Sequence, residues 1–159
     1  MDKLWAPWRV KYIRSKKQKG CVFCKASRKQ AGDYVIFRTP HVIAMLNIFP
    51  YNNGHMLVSP VRHLSKLEQL TQEEVLGLFN AVKRAKKLLE KVLKPQGFNL
   101  GINLSRSAGA GITGHLHIHI VPRWVGDTNF MPSLAGTKII SQSLDELAKL
   151  LKNAQAKTA

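Results

Sequence analysis

The pattern of apolar and polar residues along this chain predicts strands on both sides of one long helix. Five short apolar runs have the length of strands: residues 34–39, 41–48, 55–59, 98–104 and 116–122. A turn-forming segment, Phe49-Pro50-Tyr51-Asn52-Asn53-Gly54, separates the second run from the third. Because tight turns join antiparallel neighbours, we expect a five-stranded antiparallel sheet.

The long helix is predicted to begin after Thr71, which forms a capping box with Glu74 three residues later. Apolar residues then recur at helical spacing and define the face expected to be buried: Val75, Leu78, Phe79, Val82, Ala85, Leu89 and Val92. Pro95 ends this pattern, and Ser143 with Glu146 predicts the start of a C-terminal helix. The predicted fold class is therefore α+β.

The chain has 159 residues, which is the length of one ordinary domain, and shows no internal repeat or linker. We expect an aromatic-rich N-terminal arm over residues 1–20, a core over 21–150 and a C-terminal tail over 151–159. No apolar run reaches the ~20 residues of a membrane helix, so no membrane partner is expected. The basic start of the chain lacks the apolar stretch of a secretory signal, which favours the cytoplasm.

Basic residues far outnumber acidic ones. With 25 Lys and Arg against 9 Asp and Glu, the formal net charge is +16. A surface this basic attracts anions, from nucleic acids to polyphosphate metabolites. The chain shows no helix-turn-helix, zinc-finger pair or aromatic RNA-binding motif, so a nucleic-acid partner is not expected.

The most informative segment is His115-Leu116-His117-Ile118-His119-Ile120-Val121. In a strand its histidines share one face, about 6.6–7 Å from one to the next, and its aliphatic residues share the other. Neutral imidazole is both a nucleophile and a metal ligand. The outer two rings are about 13 Å apart, too far to bind one ion together, so we expect the three histidines to have different roles.

This segment resembles the signature of the histidine triad nucleotide-binding family. Further similar segments are 46–58, 21–24, 4–9, 109–112 and 122–130. The last three resemble the branch that contains prokaryotic diadenosine tetraphosphate phosphorylases, and the resemblance covers roughly residues 4–150.

The resemblance implies covalent nucleotidyl transfer. His117 would attack the α-phosphorus and form a nucleotidyl-histidine. His119 would bind phosphate oxygens and assist the leaving group, and His55 would lie beside the same phosphate.

The resemblance also implies a set of substrate-binding residues: Asn47, Asn103, Ser107, Gly109, Gly111 and Trp124. Asn47 would contact ribose hydroxyls, although an Asn at a turn also caps its own backbone. Trp124 and Asn129 would close over distal phosphates. Gly111 stands where several relatives have Gln, a departure that favours the phosphorylase branch.

The two cysteines, Cys21 and Cys24, have C-x-x-C spacing. Taken alone, the pair fits a redox couple, half of a zinc site or two unremarkable thiols. The resemblance adds His63 and His115 as the remaining ligands of a structural zinc ion.

The predicted activity is phosphorolysis of diadenosine tetraphosphate to ATP and ADP, with inorganic phosphate as co-substrate. Hydrolysis of dinucleoside polyphosphates or nucleoside phosphoramidates to AMP is the alternative. A nucleotide sensor is a third reading. The resemblance further implies a homodimer.

Overall fold

Five strands form one antiparallel sheet in the computed structural model, which describes residues 20–28, 34–127 and 140–157. The strands are β1 (Val35–Arg38), β2 (Val42–Leu46), β3 (Met56–Pro60), β4 (Gly97–Ile102) and β5 (Ile118–Arg123). Their order across the sheet is β1-β2-β3-β5-β4, so β5 lies between β3 and β4. The predicted α+β class with a five-stranded antiparallel sheet is confirmed.

Three helices accompany the sheet within the described residues: α1 (Val22–Ser27), α2 (Gln72–Leu93) and α3 (Leu144–Ala156). The capping box of α2 forms as predicted, because the Thr71 hydroxyl accepts from the Glu74 N–H and the Glu74 carboxylate accepts from the Thr71 N–H. The sequence pattern did not predict α1.

The division of the chain is less easily compared with the structure. The last helix continues past residue 150 into the predicted tail, where Leu151 is fully buried. Most of the N-terminal arm, including Leu4–Tyr12, lies outside the described residues.

Helices cover the two faces of the sheet unequally. The main core lies between the sheet and α2 and α3, and includes Val58, Leu89, Ile120 and Leu151. On the opposite face, Phe23 from α1 packs in a smaller cluster of residues from β1, β2 and β3. The histidine segment borders this second face, so α1 is the helix closest to the chemistry.

The predicted apolar face of α2 is wrong over its first two turns. Val75 and Phe79 are 41% and 63% exposed, whereas Ala81 and Leu88 are buried. Apolar residues occur on both sides of these turns, and helical periodicity alone does not tell which side the sheet will cover. Glu74 is buried there instead, where Arg62 pairs with its carboxylate at 2.7 Å.

The predicted histidine strand begins later than expected. Pairing between β3 and β5 ends at Val58 and Ile118, so the first two triad histidines precede the ladder. Pro60 has no N–H to donate, and side chains take over beyond this point. The Ser59 hydroxyl donates to the carbonyl of Leu116 at 3.0 Å.

No helix among the described residues is long and apolar enough to cross a membrane.

Candidate active site

Three histidines meet where the turn before β3 approaches the start of β5. His55 follows the turn, and His117 and His119 come from the segment that leads into β5. The three residues are only 1%, 5% and 8% exposed. Ring centroids are 5.1 Å apart for His55 and His119 and 4.9 Å apart for His117 and His119. The structure therefore brings the three predicted catalytic residues into one buried cluster, tighter than the strand repeat alone suggests.

The turn that delivers His55 is held by backbone contacts. The Asn47 N–H donates to the carbonyl of His55 at 2.8 Å, and the His55 N–H donates to that of Asn52 at 3.2 Å. Gly54 has a φ of +74°, and a Cβ there would lie 2.5 Å from Leu93 Cδ1. Only glycine satisfies both the turn and the packing at this point, so the position of His55 depends on it.

Hydrogen bonds fix the direction of the protons in the His55–His119 pair. The Tyr51 N–H donates to His55 Nδ1 at 3.0 Å, so in neutral His55 the proton lies on Nε2. His55 Nε2 is 2.9 Å from His119 Nδ1, which must then accept. The remaining proton of neutral His119 lies on its Nε2, an atom that is buried without a partner among the described residues. This pair presents an N–H donor to the site.

His117 has the complementary tautomer. Its Nδ1 is 2.8 Å from the backbone carbonyl of His115, which can only accept. The ring proton therefore lies on Nδ1, and Nε2 carries the lone pair. One imidazole of the cluster thus offers a lone pair, whereas its neighbour offers a proton donor.

Burial keeps these imidazoles neutral. Loss of solvent, and then the neighbouring imidazoles, lower the pKa of His55 to about 3. Burial and the neighbouring His117 lower the pKa of His119 to about 4. Burial also lowers the pKa of His117, against the opposing effect of the His115 carbonyl. At neutral pH the nucleophilic lone pair is therefore available.

A phenylalanine packs beneath this cluster. The fully buried ring of Phe23 has its centroid 5.0 Å from that of His115 and 5.1 Å from that of His117. Phe23 lies between Cys21 and Cys24 in the sequence, so the two cysteines flank a direct contact of the candidate nucleophile.

The residues between β2 and β3 provide an apolar wall beside the histidines. Ile48, Phe49 and Tyr51 are all half exposed, and the Tyr51 ring stacks on His119 with centroids 5.5 Å apart. Asn47 Oδ1 accepts from the Phe49 N–H at 3.0 Å, so its side chain makes the local turn that the sequence left open as an alternative. Contact of Asn47 with a ribose stays a prediction.

The loop between β4 and β5 contains four of the predicted substrate-binding residues. Asn103 is half buried, whereas Ser107, Gly109 and Gly111 are exposed. A Cβ on Gly109 would lie 4.0 Å from the Asn103 side-chain amide nitrogen, so these two residues are neighbours. The loop is open to solvent and leaves backbone N–H groups accessible to an anion.

Trp124 follows β5 in a turn that is fastened to the turn before β3. Its N–H and the Asn52 side-chain amide both donate to the Asp127 carboxylate, at 3.2 and 2.8 Å. Arg123 pairs with the same carboxylate at 2.6 Å. The Trp124 ring makes no contact with the three histidine rings in the part of the chain that the structure describes. Asn129, the other residue expected to close over the phosphates, lies outside the described residues.

A second cluster gathers four metal-ligand side chains. The ligand atoms of Cys21, Cys24, His63 and His115 all lie within 4.8 Å of one another. The Nδ1 atoms of His63 and His115 are 3.2 Å apart. Each also lies 3.2 Å from a sulfur, Cys24 for His63 and Cys21 for His115. Two sulfurs and two imidazole nitrogens are a donor set that suits tetrahedral zinc.

The orientation of His115 supports a metal-ligand role. Its Nε2 is 2.9 Å from the carbonyl of Pro60 and therefore carries the proton. The Nδ1 lone pair consequently points into the cluster. Burial, and then the neighbouring Cys21, raise the pKa of Cys24, an effect that a bound cation would oppose. The four predicted ligands are brought together and fit a metal ion.

Three contributors to the site were not predicted from the sequence. Phe23 supports His117, the Tyr51 N–H sets the tautomer of His55, and the Pro60 carbonyl orients His115. Two of the three contribute backbone groups, which no side-chain pattern reports. Only Phe23 carried a signal, because a large apolar residue lies between two candidate ligands.

Comparison with known proteins gives a consistent picture. The HIT domain family matches residues 28–125. A Mycobacterium tuberculosis protein named AP-4-A phosphorylase is 38% identical over 161 residues, which cover 95% of this chain and 83% of that protein. A Schizosaccharomyces pombe protein named bis(5'-nucleosyl)-tetraphosphatase (asymmetrical) is 36% identical over 64% of this chain and 55% of its own length.

A crystal structure of a zinc-bound histidine triad family protein from Mycobacterium smegmatis has the same fold. Its TM-score is 0.71 at 29% identity, and the match covers 87% of this chain and 94% of that one.

Proposed function

This chain belongs to the HIT domain family, and on that basis we propose that it cleaves dinucleoside polyphosphates by nucleotidyl transfer through His117. The proposed substrates are diadenosine tetraphosphate and inorganic phosphate, and the products are ATP and ADP. The name of the Mycobacterium tuberculosis relative supports this choice, since that protein is 38% identical over 95% of this chain.

The observation that carries the proposal is the complementary protonation of two adjacent imidazoles. His117 Nε2 has a lone pair directed by the His115 carbonyl, and His119 Nε2 has a proton and no partner among the described residues. A phosphoryl group needs both, because phosphorus accepts the lone pair while its oxygens accept hydrogen bonds. Simple nucleotide binding would need no directed nucleophile.

In the first proposed step a bond forms between His117 Nε2 and the α-phosphorus. The bond from that phosphorus to the bridging oxygen breaks, and ATP leaves with the electron pair. Positive charge develops on the imidazole as this bond forms. The His115 carbonyl, 2.8 Å from Nδ1, stabilises that charge and holds the ring in its attacking tautomer.

In the second step an oxygen of inorganic phosphate attacks the same phosphorus. The nitrogen–phosphorus bond breaks, its electron pair returns to His117 Nε2, and ADP is released. The free enzyme is regenerated without any net change in its protonation.

His119 and His55 act together in both steps. The Nε2–H of His119 donates to a phosphoryl oxygen, and His55 keeps that proton in place by donating to His119 Nδ1 at 2.9 Å. Because the pKa values of both imidazoles are far below neutrality, this arrangement needs no charged histidine. Rigid positioning in a buried site supplies most of the rate.

The remaining predicted residues would bind the substrate around this cluster. Tyr51 and its apolar neighbours would contact the first nucleoside, with Asn47 at the ribose. The loop over 103–111, which contains Asn103, Ser107, Gly109 and Gly111, would bind phosphates through side chains and accessible N–H groups. Trp124 would contribute from the turn after β5.

Cys21, Cys24, His63 and His115 would hold a structural zinc ion. When bound, zinc supplies a tetrahedral cross-link that ties α1 to the segment leading into the nucleophile. Reduced thiols are required for such a site, so we place the protein in the cytoplasm.

Hydrolysis is the alternative, and the Schizosaccharomyces pombe relative favours it, since its name is that of a tetraphosphatase. Water in place of phosphate in the second step would give AMP. Gly111, standing where several relatives have Gln, favours phosphate as the acceptor.

We also propose a homodimer. β4 is an edge strand with an unpaired side, and Leu100 and Ile102 on it are exposed. The first turns of α2 expose Val75, Leu76 and Phe79. Burial of such apolar groups by a second copy would offset the cost of association, and native mass spectrometry would detect the dimer.

Product analysis tests the proposed reaction. The wild-type protein and His117→Ala are incubated with diadenosine tetraphosphate, with and without inorganic phosphate. We expect ATP and ADP only when phosphate is present, and no turnover by His117→Ala. AMP formation independent of phosphate would establish the hydrolase, and full turnover by His117→Ala would refute His117 as the nucleophile.

A further inference from the structure

A cleft of about 680 Å³ lies beside the loop that connects β4 and β5. One wall is the segment before α2 and the other is the start and end of the loop. Its lining includes Lys66, Leu67, Leu104, Ser105, Arg106 and Thr113. Neither the predicted catalytic residues nor the predicted substrate-binding residues line this cleft.

The cleft adjoins the candidate active site through the metal-ligand cluster. Ser65 on one wall follows His63 by two residues, and Thr113 on the other precedes His115 by two. Four residues separate Thr113 from His117, which limits their Cα separation to about 14 Å. A ligand attached to a phosphorus at His117 is therefore within reach of the cleft.

The position of the cleft is opposite to that of the first nucleoside. The apolar wall with Tyr51 contacts His119, which follows His117 in the chain. The cleft is reached through Thr113, which precedes His117. A phosphorus at His117 thus has the apolar wall on one side and the cleft on the other.

The charge of the cleft suits phosphate groups. Lys66 and Arg106 approach from opposite walls, and Glu68 is the acidic residue of the lining. The Arg106 guanidinium makes no hydrogen bond or ion pair to any residue that the structure describes. A guanidinium left without a carboxylate is available for bidentate binding of a phosphate.

The backbone next to Arg106 is strained. Ser105 has a φ of +69°, a left-handed conformation that non-glycine residues rarely adopt. Its carbonyl accepts from the Ala110 N–H at 3.3 Å, and its hydroxyl lies 3.2 Å from that of Ser107. Strain of this kind persists where the surroundings hold it and is common in ligand-binding loops.

Two leucines add an apolar surface to this polar cleft. Leu67 and Leu104 both line it, one from each wall, and both are exposed. Phosphate alone would need no such surface, whereas a nucleotide has an apolar base face attached to its phosphates.

We propose that this cleft binds the second nucleotide of the dinucleoside polyphosphate, the one that leaves when His117 is nucleotidylated. Lys66 and Arg106 bind its phosphates, and Leu67 and Leu104 contact its base. The inference rests on the proposed function and assigns the leaving half of the substrate to a site of its own.

Equilibrium binding tests this assignment without any turnover. In a His117→Ala background, calorimetry measures the affinities for diadenosine tetraphosphate and for AMP. We expect the dinucleotide to bind more tightly, and Arg106→Ala to weaken it by about tenfold while the affinity for AMP changes less than twofold. Arg106→Lys should recover part of the loss.

A control and a second arm make the outcomes distinct. Lys87→Ala removes the same charge from an exposed position of α2 and should leave both affinities unchanged. Equal affinities for both ligands before the Arg106 change, or equal weakening of both after it, would overturn the proposal. In the otherwise wild-type enzyme, an Arg106→Ala effect confined to the KM for inorganic phosphate would assign the cleft to the acceptor instead. Failure of the proposed function is read separately, from the products of the wild-type protein.

Discussion

Two histidine clusters lie side by side in this protein, and they differ in how their nitrogens face. In the cluster of His63 and His115, two Nδ1 atoms and two sulfurs converge within 4.8 Å. In the cluster of His55 and His119, the rings are joined head to tail, with Nε2 of one 2.9 Å from Nδ1 of the other. Converging donors suit a cation, whereas a head-to-tail pair passes a proton direction from one ring to the next.

The difference arises from backbone carbonyls and N–H groups rather than from residue type. The Pro60 carbonyl takes the Nε2 proton of His115 and turns Nδ1 toward the cysteines. The Tyr51 N–H occupies Nδ1 of His55 and leaves Nε2 to donate. Identical side chains thus acquire opposite roles from their nearest backbone group.

His115 and Phe23 connect the two clusters. His115 offers its side chain to the metal-ligand cluster and its carbonyl to His117. The Phe23 ring contacts both imidazoles. Changes in one cluster should therefore reach the other in a graded way.

Breaking the head-to-tail pair should have the largest effect. We expect His55→Ala to lower kcat by about 100-fold, because His119 loses the donor that fixes its tautomer. His55→Gln, whose amide still donates, should recover part of the rate. His41→Ala, on the surface, is the matched control. If all three variants turned over like the wild type, the proton chain would have no role in catalysis.

Removal of the metal should destabilise the fold and slow the reaction less. Cys24→Ser should lose the bound metal and lower the free energy of unfolding by about 3 kcal/mol, or ~5–10 °C in Tm. Metal analysis and thermal unfolding measure these effects, and a chelator should reproduce them in the wild type. Ser27→Ala changes the same helix but no ligand. Equal metal content in both variants would argue against the Cys24 ligand.

Stability should fall as the pH drops below 6.5. The pKa values of His55 and His119 are lowered to about 3 and 4, so between pH 6.5 and 4 the unfolded chain takes up protons that the folded one does not. Each group then removes up to ~1.4 kcal/mol of unfolding free energy per pH unit. Urea unfolding across this range measures the slope, which His55→Gln should reduce. An unchanged slope in that variant would contradict the lowered pKa of His55.

The smallest effect is expected at Phe23. Phe23→Leu should lower the unfolding free energy by ~1 kcal/mol and kcat by about threefold, with KM and metal content unchanged. Phe37→Leu is a matched control, because Phe37 is equally buried but belongs to the main core on the other face of the sheet. Equal kcat in the two variants would mean that Phe23 stabilises the fold without positioning His117.

Much of the fold was predictable because local signals agree with it. The capping box of Thr71 and the turn before His55 both form as predicted. The errors occurred where tertiary contacts decide. Phe79 was assigned to the core because it has helical spacing, and the start of β5 was placed too early because nothing in the local pattern shows that Pro60 ends the ladder.

The predicted site residues differ in how far the chain itself specifies them. Alternation in the segment 115–121 predicts that its histidines share a face, and C-x-x-C spacing predicts a close cysteine pair. Which ring nitrogen carries each proton depends on Tyr51 and Pro60, which are distant in sequence from the histidines that they orient. Such pairings become visible only when the sheet is assembled.

Trapping of the covalent intermediate is the most direct test of the central claim. Wild-type protein is mixed with diadenosine tetraphosphate in the absence of inorganic phosphate, quenched, and analysed by intact-mass and peptide mass spectrometry. The account predicts one nucleotidyl group on His117, converted to ADP when phosphate is added, and no such group in His117→Ala. Turnover without an adduct, or an adduct on another residue, would contradict it.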